Sequence, residues 1–102
     1  MPPPVEYHHL ADREIIRAHL WYVRDGGASV GNDLLLAMDK AIRRIESTLK
    51  SCSPHLAGTR MARVGKYRHW VVFIEEPHQI LIVSLVHSGR HPGYWRKRIR
   101  KP

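Results

Sequence analysis

The chain has 102 residues, 43% of them hydrophobic and 25% charged, which is the balance of one folded domain and excludes a mainly disordered polymer. One cysteine, Cys52, excludes an intrachain disulfide and any CxxC redox or zinc motif, and the length leaves no room for a dinucleotide-type cofactor domain. The net charge of +8 lies entirely in residues 60–102, where ten Lys and Arg face only Glu75 and Glu76; twelve of the chain's 17 basic residues are Arg, which points to an anionic partner.

In chain order, Pro2–Pro4 is an extended lead. Val5, Tyr7 and His9 alternate with Glu6 and His8, which predicts a short strand over 5–9 with the two histidines on its surface. From Ala11 the period changes: Ala11, Ile15, Ala18 and Tyr22 form one helical stripe, predicting a helix over 11–25. Asp12 and Glu14 near its start and Arg24 near its end suit the helix dipole, and Gly26-Gly27 stops it. Asn32 or Asp33 is placed to cap a second helix over 32–49, with Leu34, Met38, Ala41, Ile45 and Leu49 as its apolar stripe. Residues 51–58 read as loop, broken by Pro54.

The second half is strand-like, with strands expected over 60–66, 68–76 and 80–87. The last is apolar on both faces and so belongs near the middle of a sheet. Residues 88–102 form a basic tail. The order β-α-α-β-β-β predicts a single α+β domain over residues 1–102, a helical hairpin packed on one face of a small, mainly antiparallel sheet. The other face is then polar, concave or covered by a partner.

Three stretches carry a resemblance. They are the helix pattern Ala11, Glu14-Ile15, Ala18, Trp21-Tyr22 with the helix after it; Arg63-Val64-Gly65-Lys66-Tyr67-Arg68; and Ile80 through Arg90 with its Val86-His87-Ser88-Gly89-Arg90 ending. Together they resemble the RelE/ParE superfamily of toxins from bacterial type II toxin–antitoxin systems, with the plasmid-stabilisation, ParE-like members nearest. The resemblance implies a growth inhibitor neutralised by a cognate antitoxin. ParE-like members are described as inhibitors of DNA gyrase. RelE-like members cut mRNA on the ribosome without a metal, as an mRNA interferase. The ParE-like reading is slightly favoured, the RelE-like endoribonuclease is the alternative, and a non-toxic basic nucleic-acid-binding module is a third reading.

Metal-free RNA cleavage needs a deprotonated 2′-hydroxyl, a stabilised phosphorane and a protonated leaving oxygen. If the chain is RelE-like, the resemblance places Arg68, His87, Arg90 and Tyr94 at that chemistry, Tyr94 at a spacing that departs from the family's. Arg60, Arg63, Lys66, Trp95, Arg96 and Arg98 are the candidates for contact with nucleic acid or another target, through phosphate forks or stacking. Each also has a structural reading: a carbonyl contact for Arg68, a strand-end hydrogen bond for His87, and a pinned tail for Tyr94 and Trp95. No cofactor is expected. His87 and His91 stand four apart, but Gly89 and Pro92 rule out a helix there and no cysteine lies near, so no metal is expected either. The start, MPPPVEYHH, reads as no secretory signal and no apolar run approaches the ~20 residues of a membrane helix, so a cytoplasmic location and no membrane partner are expected.

Overall fold

The computed structural model describes residues 3–91 and 93–99. Strand β1 is Val5–Tyr7, shorter than the 5–9 expected. The reason is His8: its N–H still donates to the Ile82 carbonyl (2.9 Å), but its side-chain Nδ1 accepts from the Leu10 N–H (3.1 Å). His8 is therefore the N-cap of helix α1, His9–Gly26, and not strand surface.

Helix α2 spans Ala28–Thr48 and begins four residues before the expected Asn32/Asp33 cap. Gly27, at φ 91°, reverses the chain in one residue, with its N–H bonded to the Val23 carbonyl (2.8 Å) and its carbonyl accepting from Gly31 (3.2 Å). Gly31 lets the helices close: a Cβ there would lie 2.3 Å from Val23 Cγ2. Asp33 does not cap the helix but accepts from the Tyr67 hydroxyl (2.5 Å).

The remaining strands are β2 (Ser53–Pro54), β3 (Arg60–Arg63), β4 (His69–Glu75) and β5 (Ile80–His87). β2 falls in the segment expected to be loop. Its two residues pair with Arg60 and Met61 of β3 and bring the sheet to five strands, ordered β1-β5-β4-β3-β2. The expected strand over 60–66 ends at Arg63, because Val64 to Arg68 form the tight turn closed by Tyr67 N–H to Val64 O (3.0 Å). β1 runs parallel to β5, and the other pairs are antiparallel.

A bulge near Val83 decides which side chains face the helices. Phe73 pairs with Ile82 but Val72 with Ser84, so Val83 is the extra residue and the alternation changes phase there. Ile80, Ile82 and Leu85 consequently join Leu34, Met38 and Ile45 under the hairpin. Val83 and Val86 turn to the far face beside Val72.

That far face is not left polar or held for a partner. The segment after Gly93 folds back over it. Trp95, wholly buried, packs with Val72, Val83 and Val86, and Tyr94 and Ile99 flank it. Within the segment expected to be a basic tail, Tyr94, Trp95 and Ile99 are thus part of a second small core, and Arg96 and Lys97 are exposed; residues 100–102 and Pro92 lie outside the described residues. Among the described residues no helix is long and apolar enough to cross a membrane.

Candidate functional site

β1 covers the outer edge of β5 only as far as Ile82. Beyond it, the exposed backbone of β5 is satisfied by side chains. Glu14, from α1, accepts from the Leu85 N–H (3.2 Å) and the Ser84 hydroxyl (2.9 Å). Arg98 donates to the Val83 carbonyl (3.0 Å). Arg98 also grips both oxygens of Glu14, at 2.9 Å each, and the Tyr94 hydroxyl donates to Glu14 at 2.7 Å. Burial pushes the Glu14 carboxyl up, but the bonds from Arg98, Tyr94 and Ser84 outweigh it and hold the group below its ordinary range. Burial raises Tyr94, so its phenol stays neutral at physiological pH.

This cluster is the back wall of a cleft of about 580 Å³ between α1 and the adjoining ends of β4 and β5. The volume lies in the range of ligand pockets. Ala18, Tyr22 and Leu85 make its apolar floor; Arg17, Trp21, His87 and Arg90 stand around it. His69 and His87 are direct partners in the ladder, with rings 5.1 Å apart and edge to face. His69 is only 8% exposed, and burial, helped by His87, pulls its imidazole down to about 4, so it is neutral at pH 7. Its Nδ1 has no hydrogen-bond partner among the described residues. His87 Nδ1 accepts from the Gly89 N–H (3.0 Å), which shapes the turn that presents Arg90. The Arg90 guanidinium lies 4.0 Å over the Tyr94 ring, a cation–π contact, and Arg90 is otherwise exposed.

Of the residues expected at a catalytic centre, the structure brings His87, Arg90 and Tyr94 to this cleft. Arg68 is exposed and does not line it. Tyr94 is occupied by Glu14 and is not poised as an acid or base. The expected target-binding set disperses. Trp95 is buried behind the sheet and has no face to offer a base, which corrects that expectation. Arg98, expected at a target, is committed to Glu14 with its side chain 11% exposed. Arg60 donates to the Cys52 carbonyl (2.9 Å), Arg63 stacks on Trp70 (5.6 Å), and Lys66 stands 4.0 Å from Asp33; all three belong to β3 or the turn after it, away from the cleft. Arg96 is exposed in the short 3₁₀ turn Arg96–Arg98. No group of three or more potential metal ligands occurs among the described residues.

Sequence reasoning missed Glu14, Arg17 and His69 as site residues. A signal existed for two of them. Glu14 is three residues after Ala11 and four before Ala18, on the apolar stripe, where a carboxylate needs a buried cation. His69 alternates with Val71 and Phe73 and so shares their helix-facing side.

The family model described as the ParE toxin of type II toxin–antitoxin system, parDE, matches residues 5–92, which include both helices and all five strands. Among solved structures, the chain is similar to one titled the chromosomal ParDE TA system from P. aeruginosa. The similarity covers 83% of this chain and 95% of that one, at 10% identity and a TM-score of 0.73, and so speaks to the fold. Compared with curated proteins by sequence, the chain matches none.

Proposed function

The chain belongs to the ParE toxin family of type II toxin–antitoxin systems, and on that footing we propose that it is a growth inhibitor held in check by a cognate antitoxin, with DNA gyrase as its target. The observation that carries this reading is the family match across residues 5–92, the whole hairpin and sheet. The site chemistry supports the gyrase branch over RNA cleavage. Nuclease action would need a base and a phosphate-gripping Arg aimed at one point. In the cleft, the His69 ring is buried, His87 Nδ1 is taken by the Gly89 N–H, Glu14 has both oxygens occupied, and Arg68, although its carbonyl accepts from Ser88 N–H beside the cleft, keeps its side chain out of the lining.

The test is brief induction of the chain alone in bacteria, with mRNA ends mapped in cells and supercoiling by purified gyrase measured with the pure protein. Growth arrest with intact mRNA and blocked supercoiling is the expected result, and arrest should persist in Arg68→Ala. Cuts within translated codons that vanish in Arg68→Ala would overturn the gyrase reading. Unimpaired growth at a verified soluble level would overturn the toxin reading itself.

A further inference from the structure

The cleft beside α1 combines two properties that together select a ligand. Its floor is apolar: Ala18, Tyr22 and Leu85 make a surface that gains by excluding water. Its lining is cationic, while Arg68 and Asp25, of opposite charge, act on Tyr22 from outside the lining. Arg17 and Arg90 are exposed and make no ion pair among the described residues, while Glu14, the one carboxylate at the cleft, is saturated from within. An apolar group that enters is thus followed by an anion. The buried Nδ1 of His69 beside the floor adds a hydrogen-bonding position that nothing among the described residues uses.

We propose that this cleft is an anchor pocket for the antitoxin, taking one bulky apolar or aromatic side chain of an extended segment whose neighbouring carboxylate is held by Arg17 and Arg90. The inference rests on the toxin reading and deepens it by naming the chemistry of the partner. A peptide fits better than a nucleic-acid strand. A strand needs a row of cations to follow its phosphates, and Arg60, Arg63 and Lys66, which would extend such a row, are at β3 and engaged with carbonyls, Trp70 and Asp33. One apolar hole with two guanidinium groups beside it is instead the form of a side-chain anchor surrounded by charge. Tyr94 has a positioning part: its ring carries the Arg90 guanidinium, and Glu14 holds its hydroxyl.

The experiment uses the full chain and the protein encoded next to it in its genome, tested as the antitoxin. Affinity is measured for the unmodified toxin, Arg17→Glu, Arg90→Glu and, as a control of equal charge change outside the cleft, Lys97→Glu. NMR follows the imidazole signals of His69 and His87. Each cleft reversal is expected to weaken binding at least tenfold, Lys97→Glu by less than threefold, and both imidazoles are expected to shift when the antitoxin is added. Circular dichroism keeps folding separate, since Arg17 and Arg90 are exposed and their reversal leaves the core intact. An antitoxin that binds the unmodified chain and both cleft variants equally overturns the anchor inference and leaves the toxin reading standing. A chain that neither arrests growth nor binds the adjacent protein overturns both. A single-stranded oligonucleotide that shifts the same two imidazoles and competes with the antitoxin would assign the cleft to nucleic acid and overturn the peptide.

Discussion

Glu14 and Arg98, 84 residues apart in sequence, form a two-pronged ion pair with both contacts at 2.9 Å and side chains 15% and 11% exposed. The pair ties the first helix to the last described turn around the open edge of β5. Because each partner also caps a β5 backbone group, it substitutes for the strand that β1 stops supplying after Ile82.

Glu14→Gln should therefore cost far more than a surface pair would. It leaves Arg98 nearly buried without a counter-charge, and loss of one partner from such a pair costs about 3 kcal/mol. For a domain of this size that is a fall in Tm of roughly 10–20 °C. Glu14→Gln combined with Arg98→Met should recover part of the loss, because the uncompensated charge is then gone. Denaturant unfolding of the unmodified chain and the two variants decides it. A single-variant loss under about 1 kcal/mol would mean that water already screens the pair.

Acid should destabilise the protein in two stages. His69 is pulled from 6.5 to about 4 on folding, so between those values the unfolded chain binds the proton and the folded one does not. Stability is then full above pH 6.5 and falls as pH drops towards 4. Glu14, held below its ordinary value, adds a second loss as pH falls below the usual carboxylate range. Urea midpoints measured from pH 7 to pH 4 should slope downward, and His69→Gln should flatten the upper part of that slope. Parallel curves for the two proteins would remove His69 as the cause.

At the alkaline end Tyr67 acts in the opposite sense. The Asp33 carboxylate, together with burial, pushes its phenol up to about 12. The neutral phenol is the folded form, so its contribution is complete below pH 10 and is lost as pH rises towards 12. Ultraviolet titration should show one tyrosine ionising well after the exposed Tyr7, and Tyr67→Phe should remove that late step at a cost of about 1 kcal/mol.

The far-face core yields a contrast between two substitutions at one site. Trp95→Ala opens a cavity among Val72, Val83 and Val86 and should cost about 4 kcal/mol. Trp95→Phe should cost less than half as much, since the indole N–H has no partner among the described residues and only ring volume is lost. Thermal unfolding of both variants checks this. Equal losses would show that the indole nitrogen matters in a way the packing does not account for.

The composition, the 3.6-residue stripes and the β-branched runs were sufficient to set two helices before a sheet, with β5 correctly bounded at 80–87, because burial periodicity is a local property of the chain. Local chemistry also placed the stop at Gly26-Gly27. It failed at His8, which serves as a cap only because Ile82 holds its backbone, and at Asn32/Asp33, whose capping preference yields to a one-residue turn at Gly27 and a tyrosine 34 positions away. The candidate site divides in the same manner. His87, Arg90 and Tyr94 were legible as types suited to phosphate or acid–base work. That they meet Arg17 and His69 at a cleft, while Arg98 turns inward to Glu14 and Trp95 disappears under the sheet, depends on where the chain after Gly93 folds. That path is decided by the apolar far face left bare by the bulge at Val83 and by a carboxylate on the α1 stripe that must find a cation; both are demands of burial that exist only once helix, sheet and tail are packed together.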